Sequence, residues 1–114
     1  MLGDQAKPVL PELQVLMDGT NKNIALVAML AASGTGSNAI PLLTKGLTNQ
    51  FADVRNEAAN TLCQSFAKKF PAQCQQAIPL LVKLLNDPDP NVRGNATNEL
   101  KEIDPTAAAK AGIK

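Results

Sequence analysis

Ala-Ile-Pro-Leu-Leu-Thr-Lys-Gly-Leu-Thr-Asn-Gln-Phe-Ala-Asp-Val-Arg, residues 39–55, is restated 38 residues later as Ala-Ile-Pro-Leu-Leu-Val-Lys-Leu-Leu-Asn-Asp-Pro-Asp-Pro-Asn-Val-Arg, residues 77–93. The same offset carries Ala58 onto Ala96 and Leu62 onto Leu100. A match sustained over that span marks a structural unit written twice, and a period of roughly 20–50 residues is the mark of a repeat array. Upstream the pattern continues at an offset of 30: Pro11, Leu13 and Met17 fall on Pro41, Leu43 and Leu47, and Ile24 and Ala28 fall on Val54 and Ala58. Three units then cover residues 5–33, 36–70 and 71–103, and a short C-terminal helix is expected at 105–111. Together they make one domain, expected to belong to a longer array.

Each unit reads as two helices. First helices are expected at residues 8–17, 38–48 and 72–86, with Pro11, Pro41 and Pro79 near their starts. Proline suits a first turn, where its missing N–H has no intrahelical partner. In the third unit Gln75-Gln76 extend the helix upstream of Pro79, which predicts a kink there. Asp87-Pro88-Asp89-Pro90 is a strong stop, since each proline drives its predecessor out of the α region. Second helices are expected at 23–32, 53–70 and 91–103, with Asp53 and Asn91 placed as N-caps. Val54, Ala58, Leu62 and Phe66 recur every four residues as an amphipathic stripe. No stretch alternates with period two, so the chain is read as all-α. Residues 24–32 of the first unit carry no charged or amide side chain. A helix apolar all round is normally covered on all sides, either by another repeat or by a second copy of the chain.

Composition narrows the function classes. The 114 residues are 45 % hydrophobic, with 11 basic and 10 acidic side chains and a net charge of +1. Nucleic acid or an anionic membrane would call for a concentrated positive patch, which is missing. Phe51, Phe66 and Phe70 are the aromatics, so base-stacking platforms are missing too. Histidine is absent, which removes the usual general base and the commonest metal ligand. Cys63 and Cys74 do not make a disulfide framework. A buried free thiol is the reading for Cys63, and a Cys63–Cys74 bridge is the alternative for an exported chain. A cytoplasmic location is favoured over export with a signal removed, but neither is fixed. No segment is long and apolar enough to span a membrane.

The residue pattern of 77–93, an apolar first helix with an early proline, an Asp-containing turn and Val-Arg opening the second helix, resembles a HEAT repeat. Residues 39–62 look like a second copy and 10–32 a degenerate one. The wording of the third unit is similar to bacterial HEAT-repeat proteins. The resemblance implies an armadillo-like, right-handed α-solenoid of about three helix pairs (an α-α superhelix), with the second helices lining a concave side. It also implies a protein-binding or scaffolding role. Its turn aspartate matches Asp87 and its arginines match Arg55 and Arg93, which in such repeats form a hydrogen-bonded ladder between turns. The second unit departs with Asn49 and Phe51 in the places of Asp87 and Asp89, and the first has Ala25 in the arginine's place. Some proteins with similar repeats are bilin lyases (phycobilisome lyase-like repeat proteins), which attach chromophores to phycobiliproteins, and others are DNA glycosylases. A glycosylase needs aromatics and a basic groove that this chain lacks, and an accessory repeat of a lyase is the enzyme-class alternative.

No residue set nominates a catalytic, cofactor or metal site. Gly34-Thr35-Gly36-Ser37 lacks the Gly-Lys-Ser ending of a phosphate loop and lies between helices. Asp87 with Asp89 reads as helix termination and ladder rather than a cation site. For binding, Asn56, Asn60 and Gln64 form an i, i+4, i+8 row, and the 38-residue offset sets Asn98 and Glu102 beside Asn60 and Gln64. This amide-rich strip suits a polar peptide or helix. Self-association through Ile24, Val27, Met29 and Leu30 is the second expectation.

Overall fold

A computed structural model describes residues 10–113. The elements are α1 (Leu10–Met17), α2 (Lys22–Ser33), α3 (Ile40–Gly46), α4 (Ala52–Thr61), α5 (Pro71–Cys74), α6 (Ile78–Leu84), α7 (Pro90–Ile103) and α8 (Pro105–Lys110). No strand occurs among the described residues. The expected start of the first helix at residue 8 lies outside them.

Three helix pairs, α1 with α2, α3 with α4 and α6 with α7, pack within themselves, and the second helices α2, α4 and α7 form a continuous seam. The slab they make measures 42 × 29 × 16 Å. The core lies in register with the repeat. Ala39 and Ala77, Leu43 and Leu81, Val54 and Val92, Ala58 and Ala96, and Leu62 and Leu100 are all buried, each pair 38 residues apart. Burying a Val or Leu side chain stabilises by roughly 1.5–3 kcal/mol. A helix-propensity difference is worth only about 0.7 kcal/mol or less, so the packing stripe decides the fold.

The helix ends follow their local chemistry. Asn21 caps α2 by accepting the Ile24 N–H at 3.0 Å, and Asp104 caps α8 by accepting from Ala107 at 3.0 Å. For α7 the cap is Asp89, which accepts from Asn91 and Val92 at 2.8 and 3.1 Å. Asn91 was expected in that role; Pro90 at the first helical position moves the start one residue upstream. For α4 the N-cap residue is Phe51, not Asp53, and Asp53 lies in the first turn.

The second unit differs from its expected single helix over 53–70. The α-helix ends at Thr61 and Leu62–Phe66 continue as a π-helical turn, closed by Ala67 N–H to Leu62 O at 2.8 Å. The wider turn keeps Leu62, Cys63 and Phe66 all buried. The break expected near Pro79 is present: Gln75–Ala77 form a 3₁₀ turn between α5 and α6. A second 3₁₀ turn, Gly36–Ala39, leads into α3, and Gly36 opens it with φ 82°, a conformation that glycine adopts without strain. Beyond α7, α8 packs on α7 and α6 much as α3 packs on α2 and α1, so it takes the place of a further first helix.

Candidate interaction surfaces

Polar rungs tie the turns together. Arg55, near the start of α4, reaches forward to the next turn and grips Asp87 with both edges of its fork: Nε to Oδ2 at 2.8 Å and Nη2 to Oδ1 at 2.9 Å. Its Nη1 also bridges two carbonyls of its own turn, Asn49 O at 2.9 Å and Gln50 O at 3.2 Å. Arg93 repeats that half of the pattern, with Nη1 on Asp87 O at 2.7 Å and Pro88 O at 3.2 Å. The Arg55–Asp87 pair is nearly dry, with side chains 15 % and 5 % exposed. Burial alone would raise the Asp87 carboxyl, but hydrogen bonds from Arg55 and the Asp89 N–H, with the charges of Arg55 and Arg93, outweigh it. The group ends below its ordinary value.

Between the first two units the rung is neutral. Asn49 holds the turn as Asp87 does, its Oδ1 accepting from the Phe51 N–H at 2.9 Å just as Asp87 Oδ1 accepts from Asp89. Its other atom is a donor, Nδ2 to Met17 O at 2.9 Å. The reason is Ala25: the first unit has no guanidinium to present, only a carbonyl, so an amide fits where a carboxylate would face an acceptor. Gln50 Nε2 to Gly19 O at 3.0 Å and an exposed Lys22–Asp53 ion pair at 2.9 Å complete the junction.

The expected polar strip is distributed differently from its spacing. Asn56 is half-buried in the α4–α7 seam, where its Oδ1 accepts from Asn95 Nδ2 at 2.9 Å. Asn95, which the 38-residue offset does not set beside Asn56, is therefore its neighbour in space. Asn60 is half-buried as well. Gln64, Asn98 and Glu102 are exposed and form no hydrogen bond or ion pair among the described residues.

The largest exposed apolar side chains gather on the first pair: Val15, Leu16, Ile24, Val27 and Leu30, with Val27 66 % exposed. Met29, expected on this surface, is instead 1 % exposed, its sulfur against the α3 backbone near Gly46. The i+2 spacing from Val27 turns it to the opposite side of α2. Leu13, Leu16, Ile24, Val27, Ala28 and Ala31 line a groove of about 280 Å³ along the outward side of α1 and α2. At the offset of 30 these positions correspond to Leu43, Gly46, Val54, Glu57, Ala58 and Thr61, which belong to the second unit. Gly46 and Ala58 lie side by side there, close to Met17 and Met29 of the first unit.

One buried group was not signalled by spacing. Glu99, in the register of Thr61, is 5 % exposed and neither carboxylate oxygen has a hydrogen-bond partner. Burial, then the nearby Glu102, push its carboxyl up to about 7. Cys63 and Cys74 are both free and buried. Burial, then Glu99, Cys74 and Glu102, push the Cys63 thiol up to about 12, which keeps it protonated and unreactive. Among the described residues no group of His, Cys, Asp or Glu could hold a metal ion, and no helix is long and apolar enough to cross a membrane.

Stacked helix pairs, a register-matched core and an arginine–aspartate rung between turns define an α-helical repeat protein. The family model of HEAT repeats matches residues 40–111, and the chain belongs to that family. The matched span begins at α3, so the first pair, with Ala25 in the arginine's place, lies outside it. No curated protein and no solved structure matches the chain. HEAT repeats mediate protein–protein interaction or scaffolding, and the family is typically non-enzymatic.

Proposed function

We propose that the chain is a non-enzymatic protein-interaction module that self-associates through the outward face of α1 and α2. The observation that carries this reading is the register of that face. Leu16 occupies the repeat position of Gly46, which lies beside Ala58 and close to Met17 and Met29 of the first unit, so the apolar groove stands where one repeat meets another. In repeat proteins each unit buries its apolar surface against a neighbour. The opposite end does not complement it, because α7 turns Arg93, Asn98 and Lys101 outward, all exposed. Two copies therefore pair apolar face to apolar face, in the two-fold manner of an isologous dimer.

Hydrogen exchange followed over a range of protein concentrations tests this. Amides of α2 are expected to slow as concentration rises, while those of α7 stay constant. Protection independent of concentration would overturn the dimer.

A second reading has its own support in Gln64, Asn98 and Glu102, exposed side chains without partners among the described residues. There a polar segment of another protein docks along the second helices, with Asn56 and Asn60 at its floor. A preformed surface lowers the ordering cost of such binding. The accessory-lyase alternative finds no support in the protonated Cys63 thiol, and no residue is put forward for chemistry.

A further inference from the structure

Glu99 of α7 is a buried carboxyl that the fold leaves without a partner. It is 5 % exposed, and neither of its oxygens accepts a hydrogen bond among the described residues. It lies where α7 packs on the π turn Leu62–Phe66, close to the thiol of Cys63, which is itself 3 % exposed and neutral. The charge that acts on it is Glu102, one turn further along the same helix and of the same sign. The other charged side chains on the elements packed against α7 are Asp53, Arg55 and Glu57 of α4, Lys83 of α6 and Lys110 of α8. Asp53 pairs with Lys22, Arg55 holds Asp87, and Lys83 and Lys110 are exposed, as are Arg93 and Lys101 of α7 itself. No described cation is within ion-pair distance of Glu99.

Such a carboxyl is tolerated with its proton on and costly once ionised, because neither a donor nor a counter-charge replaces the water it has lost. Water is close. A pocket of about 180 Å³ opens beside the seam, walled by Lys68, Cys74, Glu102 and Ile103 among others, and Lys68 forms no ion pair with a described residue. The surface that α7 meets there is the π turn, a rare geometry that concentrates at functional sites. We infer that Glu99 is a proton-operated latch on the seam between α7 and the π turn. With the proton on, the last turns of α7 stay closed. When the proton leaves, those turns open locally, the carboxylate moves towards water and Lys68, and Cys63 is uncovered. Burial, then Glu102, set the working range by raising the closed-state carboxyl from 4.5 to about 7, so closure is strongest below pH 4.5 and weakens as pH rises to about 7. The latch lies between the second and third units and does not depend on the apolar face of α1 and α2.

Cys63 reports the opening directly. In a Cys74→Ala background it is the one thiol, and its alkylation by iodoacetamide is followed from pH 5 to pH 8. Each rate is divided by that of the free peptide Thr-Leu-Cys-Gln-Ser, which removes the pH dependence of thiol chemistry itself. A carboxyl at 4.5 in the open state and about 7 in the closed state makes this ratio rise about 40-fold between pH 5 and pH 7 and level off above. Glu99→Gln, which cannot ionise, is expected to give a flat ratio. Should that variant not fold, Glu102→Gln at an exposed position carries the test: without the like charge, the rise is expected to be smaller and to level off at lower pH. Urea below the unfolding transition is expected to leave the ratio unchanged, since a local opening exposes little surface. A flat wild-type ratio, a rise that survives Glu99→Gln, an unaltered rise in Glu102→Gln, or a ratio that climbs with urea as global unfolding does would each overturn the latch.

Discussion

Asn49 and Asp87 are the same turn residue facing different partners, and each side chain is matched to what the preceding unit presents. Met17 O needs a donor and Arg55 needs an acceptor. Exchanging them is costly in both directions. Asn49→Asp sets a buried carboxylate against a carbonyl, and Asp87→Asn leaves half of the Arg55 fork without its charge partner. Each is expected to lower unfolding free energy in urea by about 1–3 kcal/mol, the usual cost of an unsatisfied buried polar group. An unchanged midpoint for either would contradict the rung. Glu99 gives the complementary pH signal. Its folded-state carboxyl is raised from 4.5 to about 7, so the stability linked to its proton is fully present below pH 4.5 and is lost as pH rises through about 7. The full loss is on the order of 3 kcal/mol. Glu99→Gln is expected to flatten the urea midpoint between pH 5 and 8, and a variant that keeps the wild-type slope would remove Glu99 as the cause. Asp87 acts at the other limb, its contribution disappearing as pH falls below the ordinary 3.8.

At the level of helices, close approach of α3 to α4 depends on Gly46, whose added Cβ would lie 2.9 Å from Ala58 Cβ. Alanine is the better helix former by roughly 1 kcal/mol, but the methyl of Ala58 cannot rotate away, so overpacking decides the sign. Gly46→Ala is expected to destabilise by about 1–3 kcal/mol in urea unfolding; a stabilised variant would show that the pair is not in contact. The buried stripe was legible because equivalent side chains recur at one offset, and Leu43 with Leu81 or Val54 with Val92 need only share an environment. What crosses between units was less legible. Asn56 meets Asn95, one residue from the position its own repeat equivalent occupies, because neighbouring helices in the seam offset their facing side chains. Glu99 is buried near Cys63 of the π turn, whereas Thr61, its counterpart, is only half-buried. The π turn at Leu62–Phe66 leaves no mark in composition; it is the packing of Leu62, Cys63 and Phe66 together that favours it.

The molecule has unlike ends. The α7 end turns the polar side chains Arg93, Asn98 and Lys101 outward, whereas the α1–α2 end keeps Val15, Leu16, Ile24, Val27 and Leu30 exposed. That asymmetry was half readable: the uncharged run at 24–32 signalled a surface needing cover, but only the packed helix could assign Met29 to the core and Val27 to the outside. Self-association through this end is the central functional claim, and light scattering across a dilution series of wild type and Val27→Lys tests it most directly. The wild-type chain is expected at twice its 12.0 kDa mass and the folded variant, whose substitution touches no core contact, at the single-chain mass. A wild-type monomer at every concentration, or a Val27→Lys dimer as stable as the wild type, would contradict pairing through α1 and α2.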